Sequence, residues 1–364
     1  MTPSAESDVN KFLNSIELPG LGQTIADVGR VVEVSESDDR VTAHIELGFP
    51  ARTRFDAYRS HIAAELAPRA GEKEVDIEFS TRIVAHGVQR NLKPIAGVRN
   101  IIAVASGKGG VGKSTVSVNV AIALAAEGAS VGLLDADIYG PSQPQMVGLA
   151  GKNPETDDGK TMDPMRAHGI QVMSIGFLVD PDQPMIWRGP MVTSALNQLL
   201  HQTNWQDLDY LIVDMPPGTG DIQLSLSQQV PVSGAVIVTT PQNIATLDAR
   251  KGLAMFRKVS VPVLGIIENM STHVCSACGH EEPLFGSGGG RQMADDFDVE
   301  LLAQLPLDSR IREQTDSGSP TVVSDPDSTA AAAYRNAAIN LAVAQARQGK
   351  DFSSKFPKIV VEES

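Results

Sequence analysis

Gly107-Lys108-Gly109-Gly110-Val111-Gly112-Lys113-Ser114-Thr115 follows directly on the apolar run Ile101-Ile102-Ala103-Val104-Ala105 and leads directly into Val116–Leu124. A short apolar run bounded by glycines reads as a buried strand, and the longer apolar segment after the loop reads as a helix. Strand, glycine loop and helix in that order are the setting a phosphate-binding loop requires. Gly107, Gly112, Lys113 and Ser114 satisfy G-x4-G-K-[ST], in which glycines let backbone N–H groups close around phosphate oxygens at a helix N-terminus. The nine residues from Gly107 to Thr115 are therefore the candidate nucleotide-binding element, with Lys113 on the β- and γ-phosphates and the Ser114 hydroxyl as a Mg²⁺ ligand.

Lys108 is a second lysine near the start of a loop whose pattern needs one. With that lysine the loop resembles the deviant Walker-A ATPases, a family that includes the ParA/MinD positioning proteins, the nitrogenase iron protein and the Mrp/ApbC-type iron–sulfur cluster carriers. The resemblance implies a P-loop α/β fold, ATP as ligand and a homodimer, in which Lys108 crosses the interface to the partner's ATP and takes part in catalysis.

Working outward, the residues after the loop alternate strand-like and helix-like segments, which predicts a mostly parallel sheet covered by helices on both faces. Val131–Leu134 ends in Asp135-Ala136-Asp137, and Leu211–Val213 ends in Asp214 followed by Met215-Pro216-Pro217-Gly218. Acids leaving the carboxyl ends of parallel strands stand where ligands bind in such sheets. Asp214 reads as the Walker-B acid that holds Mg²⁺ through its water shell, and the Gly218 N–H as a contact to the γ-phosphate. The resemblance implies that Asp137 positions or activates the attacking water, that Asp135 lies near the Mg²⁺ shell, and that Asn269 reads the adenine. Tyr139–Ser142 continues the first switch and, with Trp187-Arg188-Gly189-Pro190, fits the cluster-carrier branch.

Only two cysteines occur in the chain, in Cys275-Ser276-Ala277-Cys278. A C-x2-C turn offers two thiolates, whereas tetrahedral zinc and a [4Fe–4S] cluster each take four protein ligands. Three arrangements are open: two chains sharing a cluster across a two-fold axis, a zinc knuckle completed by His273 and His280, or a redox disulfide. The cluster carriers that the chain resembles hold a labile cluster at this position, and one axis would serve both Lys108 and the cysteines. The implied activity is an ATP-hydrolysing carrier that passes a [4Fe–4S] cluster to apoproteins. The alternative is a ParA/MinD-like positioning ATPase with structural zinc.

Upstream, residues 1–89 read as a small α/β domain. Helical spacing at Val9–Ile16 and Phe55–Leu66 accompanies strands at Val28–Val34, Val41–Leu47 and Glu74–Phe79. It resembles the domain that many cluster carriers place before their ATPase, without the Asp-Pro-Glu and the cysteine often seen there. Residues 90–98 read as a linker, 99–348 as the ATPase domain and 349–364 as a flexible tail. The net charge of -14 opposes a nucleic-acid partner. No apolar run suits a membrane span and no secretory leader is evident, so the expected location is the cytoplasm, with no membrane partner.

Overall fold

In the computed structural model, residues 3–349 are described apart from 90–91, 158, 180–188 and 276–277. Trp187 and Arg188, together with the tail from residue 350 onward, lie outside the described residues.

The N-terminal region is a helix-backed sheet of three strands, β1 (Gly29–Glu36), β2 (Arg40–Leu47) and β3 (Glu74–Thr81). β1 and β2 pair antiparallel around a tight turn, while β2 and β3 pair parallel, from Arg40 opposite Glu74 to Leu47 opposite Thr81. A parallel pair needs a crossover, and the helix Phe55–Ala70 supplies it. Its buried Tyr58, Ile62 and Leu66 recur every four residues. They form one stripe, and the alternating Ala43, Ile45 and Leu47 of β2 are buried in the same core. Each such side chain contributes about 1.5–3 kcal/mol by leaving water.

The larger unit carries an eight-stranded sheet. Its strands, in chain order, are β4 (Val98–Ser106), β5 (Val131–Asp135), β6 (Met165–Ala167), β7 (Ile170–Ser174), β8 (Leu208–Asp214), β9 (Gly234–Thr239) and β10 (Val263–Glu268). A two-residue pair follows, β11 (His273–Val274) and β12 (Glu281–Glu282), and then β13 (Glu300–Gln304) closes one edge. The spatial order is β13-β10-β9-β4-β8-β5-β7-β6. All neighbours are parallel except β6, which runs antiparallel on β7. β4, β5 and β8 are buried along almost their whole length, as strands covered on both faces must be. Because these strands are parallel, the phosphate loop after β4, the acids after β5 and β8, and Asn269 after β10 all emerge at one end of the sheet.

The N-terminal region docks on the far end of the loop helix Lys113–Ala126. Glu127, 2% exposed, accepts hydrogen bonds from Thr53 N at 2.9 Å and Thr53 Oγ1 at 2.6 Å. Arg52 N donates to the Glu127 carbonyl at 3.2 Å, and Arg54 reaches Asn336 on the C-terminal helix Thr329–Ala346 at 2.5 Å. Among the described residues no helix is long and apolar enough to cross a membrane.

Candidate nucleotide site and cysteine hairpin

The loop's geometry explains its glycines. Gly110 and Gly112 have φ of 82° and 79°, left-handed values that an L side chain adopts only with strain. A Cβ on Gly107 would lie 2.2 Å from the Asp248 carbonyl carbon, and one on Gly112 would lie 2.3 Å from Asn269 Nδ2. The loop is thus pressed against two neighbours while its other side opens on a cleft of about 220 Å³. Lys108 to Thr115, Asp137 and Pro217 line that cleft.

Lys113 and Asp214 meet beneath it. Lys113 Nζ stands 2.5 Å from Asp214 Oδ1, with the two side chains 5% and 0% exposed, and 3.2 Å from Ser114 Oγ. Ser117 Oγ also donates to Asp214 Oδ1 at 2.9 Å, and Gln143 Nε2 donates to Asp214 Oδ2 at 3.0 Å. Asp135, fully buried, accepts from Ser174 Oγ at 3.0 Å and from Gln143 N at 3.1 Å. Burial, reinforced by the nearby Asp214 carboxylate, holds the Asp135 carboxyl well above the usual carboxylate range. Partial burial also raises Asp137, against the opposing charge of Lys113. A carboxylate made more basic in this way is better suited to accept a proton.

Two predicted phosphate contacts are engaged elsewhere in this conformation. Lys113 is turned to Asp214, and Gly218 N donates to the Ser106 carbonyl at 3.0 Å, tying the second switch to the end of β4. Asn269, 5% exposed, donates from Nδ2 to the Val111 carbonyl at 2.9 Å, so it braces the loop from below. Lys108 is half-buried and forms no ion pair among the described residues; its carbonyl accepts from Ser106 Oγ at 2.9 Å. Ser117 and Gln143 escaped the sequence reading. Ser117 stands four residues after Lys113, one turn on along the same helix face, and with Asn119 it interrupts the apolar run Val116–Leu124, which was the available signal. Gln143 carried none.

The cysteines lie on a small exposed hairpin. β11 and β12 pair antiparallel, Cys275 N donates to the His280 carbonyl at 2.9 Å, and Gly279 N donates to the Cys275 carbonyl at 2.8 Å. Neither thiol is in a disulfide; Cys275 is half-buried and Cys278 exposed. His273 places Nδ1 3.0 Å from the Leu307 carbonyl. Among the described residues no group of three or more His, Cys, Asp or Glu side chains converges as a metal site. The hairpin follows the end of β10, where Asn269 lies six positions before Cys275.

A glycine-rich loop of phosphate-binding pattern at the carboxyl end of a central parallel strand, with a buried aspartate at the end of the neighbouring strand, defines a P-loop NTPase-type α/β protein. Residues 97–342 match the family described as "ParA: NUBPL iron-transfer P-loop NTPase", and residues 6–79 match "Iron-sulfur cluster assembly protein". The chain belongs to this family of iron–sulfur cluster carriers. It is 50% identical over 340 residues to the iron–sulfur cluster carrier protein of Escherichia coli K12, covering 93% of this chain and 92% of that one. It is 54% identical over 265 residues to the iron–sulfur cluster transfer protein NUBPL of Mus musculus, covering 72% and 82% respectively. A solved nucleotide-binding protein from Archaeoglobus fulgidus, in complex with ADP, superimposes with a TM-score of 0.55 at 38% identity. That match covers 61% of this chain and 87% of the other.

Proposed function

We propose that the protein is a homodimeric ATPase that carries an iron–sulfur cluster between two copies of its Cys275–Cys278 hairpin and delivers it to apoproteins in the cytoplasm. The observation that carries this reading is the hairpin itself. It presents two thiols at the surface, brings no third ligand from its own chain among the described residues, and is rimmed by the exposed apolar Val274, Leu284 and Phe285. A second copy supplies the missing pair, and the apolar rim suits contact with another protein. The cluster is cargo, of the [4Fe–4S] type, and an exposed hairpin lets it leave.

In the cleft, ATP phosphates take the loop N–H groups from Gly107 to Thr115. Lys113 exchanges Asp214 for the β- and γ-phosphates, and the Gly218 N–H exchanges the Ser106 carbonyl for the γ-phosphate. Magnesium fits the donors present, the Ser114 hydroxyl with the buried Asp214 and Asp135 nearby, and when bound it neutralises phosphate charge. Asp137 takes the proton of the attacking water as the bond from the γ-phosphorus to the leaving ADP oxygen breaks. Lys108 reaches the partner's nucleotide, and Asn269 reads the adenine while keeping its brace on Val111. Movement of that brace passes to the cysteines through six residues of chain, which gives hydrolysis a route to the cluster. The division into an N-terminal domain (1–89), a linker (90–98) and an ATPase domain (99–348) belongs to the same proposal.

Anaerobic reconstitution with iron and sulfide, followed by transfer to an apo iron–sulfur protein, tests the reading. Wild-type protein should gain broad absorbance near the visible edge and activate the recipient, and Cys275→Ala should do neither. An undiminished cluster signal in Cys275→Ala would refute the site.

A further inference from the structure

Gln143 opens the short helix Gln143–Met146 and is fully buried in the floor of the nucleotide site. Its polar groups reach three separate elements. The backbone N–H donates to Asp135 Oδ2 at 3.1 Å, and the side-chain Nε2 donates both to the Ser114 carbonyl at 3.1 Å and to Asp214 Oδ2 at 3.0 Å. One residue therefore ties together the ends of β5 and β8 and the first turn of the loop helix. Its remaining atom, Oε1, is buried with no hydrogen-bond partner.

Natural proteins seldom leave such an acceptor unsatisfied, and an exception calls for a physical explanation. Oε1 shares a carboxamide with Nε2, which holds the Ser114 carbonyl and Asp214, so it stands close to the residues assigned above to the metal. No protein donor among the described residues reaches Oε1, and the hydration shell of a divalent cation is made of O–H donors. We infer that Gln143 is a positioning residue for magnesium: its N–H groups set Asp135, Asp214 and the Ser114 backbone in place, and its Oε1 accepts from the ion's hydration shell. Partners of this kind, one step outside the metal's own ligands, orient those ligands and strengthen binding. The inference rests on reading the cleft as a magnesium–ATP site.

The test is binding of a fluorescent ATP analogue titrated with MgCl₂, and separately in EDTA, for wild type, Gln143→Leu and the near-isosteric Gln143→Met. The expected result is about a tenfold or larger rise in the Mg²⁺ concentration at half-maximal binding, with affinity in EDTA changed less than about twofold. MnCl₂ should show the same shift. If Leu does not fold, Met carries the comparison. An unchanged Mg²⁺ midpoint in a folded variant would overturn the inference, as would an equal loss of affinity with and without metal, which is what a disordered loop would give. Wild-type protein whose nucleotide binding ignored Mg²⁺ would instead sink the underlying reading of the cleft.

Discussion

Lys113→Met is the perturbation that probes the centre of the site most sharply before any nucleotide is added. It removes the cation 2.5 Å from Asp214 and leaves that carboxylate 0% exposed. Breaking a buried pair by removing one partner destabilises by about 3–5 kcal/mol, because the other charge stays buried. Ser117 and Gln143 still donate to Asp214, which places the effect at the lower end. With about 2.1 cal/mol/K of unfolding entropy per residue over 364 residues, a loss near 3 kcal/mol lowers Tm by about 4 °C. Asp214→Asn should act similarly, since it strands a buried ammonium. The double variant removes both charges, so its Tm should return to within about 2 °C of wild type, a coupling of about 4.5 kcal/mol. Calorimetry in buffer without nucleotide or magnesium measures all four proteins. Losses that simply add, with the double variant lowest by about 8 °C, would refute the argument.

Three further outcomes follow from the geometry. Gly112→Ala forces a left-handed alanine against Asn269, at a backbone strain of about 1–2 kcal/mol, and should weaken binding of a fluorescent ATP analogue at least tenfold in a titration. Thr53→Val takes one donor from buried Glu127 and should lower Tm by about 2–4 °C, since a hydrogen bond to a charged group contributes about 1.5–3 kcal/mol. Asp308 caps the helix Ser309–Asp316 by accepting from Arg310 N, and the Arg310 side chain holds its carboxyl below the usual range. A depressed carboxyl stabilises the fold above its unfolded pKa and loses that contribution as pH falls through the folded one. Asp308→Ala should therefore lower stability by about 1 kcal/mol at neutral pH, and the difference should shrink on acidification through and below about pH 4, read from melting curves at each pH.

The parts of the fold that the sequence disclosed were those where one physical signal acted alone. Val98–Ser106 and Leu208–Asp214 are buried on both faces, so they read as continuous apolar runs and were placed within a few residues. β2 alternates strictly because one face is wet, and its register with β3 follows. β6 and β13 went unread for the opposite reason. β6 has three half-exposed or exposed residues, and β13 buries only Leu302, so neither edge strand carries a run or an alternation long enough to detect. The helices Asp221–Gln229, Gly289–Phe297 and Ser309–Asp316 are short and carry many polar residues, so their apolar stripes span too few turns to stand out from the loops around them.

The site divides the same way. The placement of the glycine loop and of Asp214 at the carboxyl end of the sheet was legible because backbone geometry and metal chemistry restrict the residue types at fixed spacing. The use of Asn269 as a brace was not, because it depends on β10 arriving beneath Val111 from 158 positions away. Gln143 was invisible, since its three tethers come from segments that only the folded sheet brings together. The conformation of the loop also lay beyond pattern reading: Lys113 and the Gly218 amide are both committed to protein partners, and a pattern states only what they bind when phosphate is present.

The central claim is that two chains share one cluster through Cys275 and Cys278. Native mass spectrometry of anaerobically reconstituted protein weighs that assembly directly. The account predicts a species of two chains carrying a single [4Fe–4S] cluster, which reverts to the apo mass in Cys278→Ala. A cluster or metal ion retained by one isolated chain would contradict it.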